Sequence, residues 1–177
     1  MLRQRLLEIV NTLPLLEHAA QIENLRCATR HNIVVKDSPH PIERYTCAVH
    51  AFSLVENPTY VEIASFGLGS TYAGPEFIAY LLEQELLWHR AEGEVTEHDL
   101  IFYFERGVFR HVGRLVAPTR VLSKWGIGLL YEHDTWEVPE NYGNEVRYFV
   151  GPDGSEAFDL FKKYAEHKGF VFTEPDA

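Results

Sequence analysis

Cys47 and His111 are the residues of this 177-residue chain whose types and positions suit nucleophilic chemistry. Cys47, in Thr46-Cys47-Ala48-Val49-His50, stands where a helix would begin. His111, in Phe109-Arg110-His111-Val112-Gly113-Arg114-Leu115, falls within a strand-like segment some sixty residues later. A thiol attacks as its thiolate, which the free amides at a helix start stabilise, and an imidazole brought alongside takes the proton. The two must meet in space rather than in sequence, so the elements that carry them decide whether they do. The plain alternatives are that Cys47 is a small buried hydrophobe and that His111 is a hydrogen-bonded core residue.

Thr46 suits the cap of a helix running to about Val55, with Asn57-Pro58 as its stop, and Cys47 is then the first helical residue. In the segment 109–116 a period of two places Phe109, His111, Gly113 and Leu115 on one inward face, with Arg110 and Arg114 opposite. Gly113 leaves room beside the imidazole. Segments 100–104, 109–117 and 120–125, separated by turns at Arg106-Gly107 and Pro118-Thr119, read as consecutive antiparallel strands. Further extended segments are expected at 131–138 and 145–150, and shorter ones at 33–35 and 86–89. A helical lead-in covers 1–24 with a bend or restart at Pro14, a second helix starts at Pro75, and a C-terminal helix covers 155–168, capped by Ser155. These elements predict a single α+β domain over 1–177. It would hold an antiparallel sheet of five or six strands, the cysteine-bearing helix packed on one side and the terminal helices outside.

The cysteine at a helix start, the strand Asp99-Leu100-Ile101-Phe102-Tyr103-Phe104 and the strand His111-Val112-Gly113-Arg114-Leu115-Val116 together resemble the core of papain-like cysteine peptidases of the NlpC and CHAP type. The resemblance spans about residues 45–125. It implies that Cys47 is the nucleophile and His111 the general base, acting on an amide or ester through an acyl-enzyme. It also implies a third polar residue on the following strand that orients the imidazole; the matching position is Ser123, with His133 as the alternative. Where NlpC enzymes carry Asp-Cys-Ser-Gly, this chain has Thr46-Cys47-Ala48-Val49, so the substrate is not carried over. A catalytically silent papain-like fold that binds a protein is the alternative from a different class.

Other patterns carry less. His50 lies one helical turn from Cys47, and with His111 and His133 it would complete a zinc site; such sites come as two tight ligand pairs, and a second pair is missing, so no metal or cofactor is expected. Gly67-Leu68-Gly69-Ser70 lacks the lysine of a phosphate loop. Trp125, Tyr131, Trp136 and Tyr142 read as core more readily than as walls of a cleft. With 26 acidic against 16 basic side chains the net charge is -10, which repels nucleic acid and anionic membranes. A peptide or protein substrate is the expected partner. Two cysteines are too few for a disulfide framework, and the first residues lack the apolar core of an export signal, so the expected location is the cytoplasm.

Overall fold

The computed structural model describes residues 1–66 and 71–172. Its centre is one antiparallel sheet built from β1 (Val34–Lys36), β2 (His89–Arg90), β3 (Leu100–Glu105), β4 (Val108–Ala117), β5 (Arg120–Lys124), β6 (Leu130–Asp134) and β7 (Glu145–Phe149), in the order β1-β6-β5-β4-β3-β7-β2. The α+β class stands, with seven strands rather than five or six. All the extended segments expected along the chain join the sheet, including the short edges: β1 close to the segment 33–35, and β2 shifted to the end of 86–89 and reduced to two residues.

Helices α1 (Leu2–Thr12) and α2 (Leu15–Thr29) cover one face of the sheet; α3 (Cys47–Ala51), α4 (Pro58–Phe66), α5 (Pro75–Glu83) and α6 (Gly154–His167) belong to the other. The reason lies in β3, where Leu100, Phe102 and Phe104 point to the α3 side and Ile101 and Tyr103 to the α1 side, all of them buried. A strand apolar in both phases needs cover on both faces. Leu6, Ile9 and Ile22 supply it from α1 and α2, and Val49, Phe52, Phe77 and Phe161 from α3, α5 and α6, or just beyond α3. The sheet is therefore sandwiched, not covered on one side with the terminal helices lying outside.

Local chemistry sets several boundaries differently from the sequence reading. Pro14 separates two helices, and α2 runs through Cys27 until Arg30 takes a left-handed conformation at φ 55°. The expected helix from Cys47 to Val55 stops at Ala51, because Ser53 turns left-handed at φ 55°. Asn57-Pro58 then begins α4 instead of ending α3, since the Asn57 side chain accepts the Tyr60 amide at 2.9 Å. Asp153, not Ser155, caps α6: its carboxylate accepts the Ser155 and Glu156 amides, and Glu156 accepts the Asp153 amide in return. The extended run expected over 131–138 ends at Asp134. The glycine loop Gly67-Leu68-Gly69-Ser70 lies outside the described residues.

The feature that places the site is a bulge in β4. Tyr103 pairs with His111 and Phe104 with Phe109, which leaves Arg110 without a partner. An unpaired residue shifts the pleat by one. Phe109 consequently joins Phe102 and Phe104 on the α3 side, while His111 turns to Tyr103 on the other. The expectation that Phe109 and His111 share a face is corrected by that one residue. Gly113 does make room, but for the next strand: a Cβ there would run into Val121 Cγ1 and meet Ser123 Cβ at 3.0 Å. Gly113→Ala is expected to lower stability by about 1–3 kcal/mol through overpacking. This reads as a lower urea midpoint at unchanged slope; an unchanged midpoint would mean β5 yields freely.

Candidate active site

Thr46 caps α3 as its sequence suggests, its hydroxyl accepting the Val49 amide at 3.2 Å and donating to Ala73 O at 2.8 Å. These two hydrogen bonds of one hydroxyl fix the first turn of α3, and with it Cys47, to the chain leading into α5. The turn packs on β4 and β5 where those strands part. Their pairing ends at Arg114↔Leu122. The Leu115 amide donates to Asp99 on the β3 side, so by alternation the Val112 amide points toward β5. There it faces the Cys47 sulfur.

Burial dominates the electrostatics of this thiol. Enclosure pushes the Cys47 pKa up, against the Val112 and Ala48 amides, the Lys124 cation and the Cys47 amide, which pull it down. A helix start was expected to favour the thiolate. Its amides do act in that sense, but α3 has only five residues and burial outweighs them. The resting side chain is a thiol.

His111 belongs to the opposite face of the sheet from α3 and makes no hydrogen bond to Cys47; it is 1% exposed, its ring stacked on Tyr142 at 4.0 Å between centroids and 14° between planes. Burial, with smaller contributions from His133 and His50, holds its pKa well below the ordinary imidazole value. Its Nε2 is buried without a hydrogen-bond partner. The neutral ring leaves Nε2 free for a partner, while the same burial that keeps it neutral weakens it as a base. Tyr142 links the two halves electrostatically: burial first, then nearby Cys47 and Tyr131, hold its phenol well above the ordinary range, while the Gly126 amide opposes them.

Ser123 is not in hydrogen-bond contact with His111. Its hydroxyl bonds His133 Nε2 at 2.8 Å and accepts Trp125 Nε1–H at 3.1 Å. His133 is further held by the Asp134 carbonyl at its Nδ1, 2.8 Å away. Ser123 and His133 thus form a buried network with each other, and the ring of His111 is oriented by stacking. His50 packs beside Tyr45 with its Nδ1 buried and unpartnered. Among the described residues, no group of three or more His, Cys, Asp or Glu side chains is arranged to hold a metal ion. Asp99, at the head of β3, is structural. Burial favours its neutral form, but the Thr96 amide and Arg90 outweigh this and keep the carboxyl below its ordinary pKa.

Two residues in this region have roles that sequence reasoning missed. Tyr142, read as core, is buried as expected, but its stacking on His111 comes from a short turn that no period or motif marks. Arg3 in α1 holds that turn by donating to the carbonyls of Val138, Pro139, Glu140 and Gly143. Behind Tyr142 lies a polar cleft of about 760 Å³ that also takes in Arg3, Glu105, Arg110 and Asn144. A second cleft, of about 680 Å³, borders the outer side of α3 between Val49, Val55, Tyr60, His40 and Arg44. No helix among the described residues is long and apolar enough to cross a membrane. Compared with protein-family models, curated proteins and solved structures, the chain matches none.

The buried histidines have a consequence for stability. Burial lowers both His50 and His133 to about 4, against about 6.5 in an unfolded chain. Between those values only the unfolded chain takes up the proton, so the contribution is complete above about pH 6.5 and is lost as pH falls toward about 4. Each histidine accounts for about 3 kcal/mol over that window. Urea midpoints are expected to fall steadily from pH 7 to pH 4.5, and His133→Gln to flatten the slope. A folded variant with the wild-type slope would rule His133 out as a source.

Proposed function

We propose that the chain is a papain-like thiol hydrolase or acyltransferase acting on an amide bond, with Cys47 as nucleophile and His111 as general base. The observation that carries this reading is the buried, neutral, unpartnered Nε2 of His111, one residue from the amide that faces the Cys47 sulfur. In the reaction the Cys47 sulfur bonds to the substrate carbonyl carbon as His111 takes the thiol proton, and the carbonyl electron pair moves onto oxygen. Collapse expels the amine, which leaves with the proton from His111. The thioester then passes its acyl group to water or to a second amine. A neutral imidazole suits this concerted transfer better than a standing thiolate–imidazolium pair, which the enclosure of both groups disfavours. The substrate class in this reading is a peptide or protein amide; Cys47 and His111 line neither the cleft beside Tyr142 nor the one beside Val49. A thiol nucleophile works in reducing surroundings, consistent with action in the cytoplasm.

The second reading, a silent papain-like fold that binds a protein, is favoured by the commitment of Ser123 to His133 and by the burial that keeps Cys47 protonated. Acylation separates the two. With exposed Cys27 replaced by serine, a p-nitrophenyl ester is expected to leave one hydroxylamine-labile acyl group on Cys47. Cys47→Ala abolishes that adduct, and His111→Gln slows its formation by about 10²–10⁴-fold. Equal acylation rates in wild type and a folded His111→Gln protein would leave the binding module as the better description.

A further inference from the structure

Strand β5 sends neighbouring side chains to opposite faces, so Ser123 joins the His133 network while Lys124 projects to the α3 side. Lys124 is 1% exposed. Its Nζ donates to Gly126 O at 2.8 Å and lies 5.2 Å from the centroid of the Tyr45 ring, two residues before Cys47. It forms no salt bridge among the described residues. Arg90 is matched by Asp99 and Arg120 by Glu132 and Asp134; Arg3 and Arg114 spread their charge over several carbonyls or a hydroxyl, whereas Lys124 has one carbonyl. A buried ammonium is costly without a counter-charge, and the packing of α3 on β5, with Tyr45 beside the ammonium, brings the Cys47 sulfur within its electrostatic reach.

Building on the thiol reading of Cys47, we propose that Lys124 is a positioning residue whose buried ammonium is the counter-charge for the Cys47 thiolate. The groups it faces are few. From the α3 side they are Tyr45, Cys47 and His50, with exposed Glu43 the carboxylate farther out; from β6 it meets the apolar Leu130. Of these, only the Cys47 sulfur is both enclosed and able to take up negative charge during acyl transfer. When the sulfur loses its proton to His111, the ammonium is already in place, and no side chain has to move to balance the new charge. Lys124 acts through Cys47 and makes no bond to substrate.

The test reads the ionisation of Cys47 itself, apart from turnover. In the Cys27→Ser protein, the midpoint of iodoacetamide reaction at Cys47 against pH is expected to rise by about one unit or more in Lys124→Met. Lys124→Arg, which keeps the charge, should restore much of the shift. The reciprocal measurement leaves the lysine intact: with ¹³Cε-labelled lysine, Cys47→Ala should lower the midpoint of the Lys124 amine by NMR. An unchanged cysteine midpoint in a folded Met variant, or an unchanged lysine midpoint in Cys47→Ala, overturns the proposal. The outcomes separate from those of the acylation experiment. Linked midpoints without acylation leave Lys124 as the counter-charge of a thiol that is not a hydrolase; acylation dependent on His111 with unlinked midpoints removes Lys124 alone.

Discussion

Strand β4 changes the phase of its two faces because Arg110 has no partner in β3. Before the bulge Phe109 belongs to the aromatic layer under α3; after it, His111 belongs to the layer under α1 and α2, and Val112 returns to the first. The displacement by one residue puts an imidazole and a thiol on either side of a seam rather than stacked on one face. The seam exists because β5 leaves β4 beyond Arg114↔Leu122. A strand that kept its pairing would use the Val112 amide in the ladder, and the Cys47 sulfur would lose that donor.

Around that seam the chain tolerates an unusual amount of enclosed polarity. His50, His111 and His133 are all driven toward the neutral form by burial, and Lys124 sits out of water with one carbonyl and one aromatic ring for company. Buried polar groups without partners are destabilising, and natural folds keep few of them. Here two ring nitrogens, on His50 and His111, stay unpartnered within the same region as the thiol. The cost is acceptable because both faces of β3 and its neighbours are apolar and well covered. Stability is spent locally while the sandwich holds the rest of the sheet in place.

The Tyr142 turn shows how far the support of a site extends beyond it. Its ring fixes the plane of His111, and its backbone is held by Arg3, 139 positions earlier in the sequence. The N-terminal helix is thus more than an outer layer: one face buries Leu6 and Ile9 against the sheet, and its arginine ties down the cover of the imidazole. Packing and orientation come from the same short helix.

The α+β class, the three central strands, the cap at Thr46 and the starts of α3 and α5 were legible along the chain, because each rests on a local rule: alternation, capping, or proline at a first turn. Cys47 and His111 were legible as reactive types on recognisable elements. Their environment was not. The bulge at Arg110 has no signature in Phe109-Arg110-His111, since only the register with β3 leaves that residue unpaired, and a strict period of two puts the wrong neighbours beside His111. Ser123 had the right position on the right strand, yet its hydroxyl went to His133 and Trp125, which the fold of β5 onto β6 brings closer. Tyr142, Arg3 and Lys124 gained their places through contacts between distant segments, which no local pattern encodes. The sequence by itself determined which residues are able to react and the elements that carry them. Tertiary structure alone decided what each one faces, because burial and neighbouring charge, which set whether a thiol or an imidazole is ionised, are properties of packed surroundings.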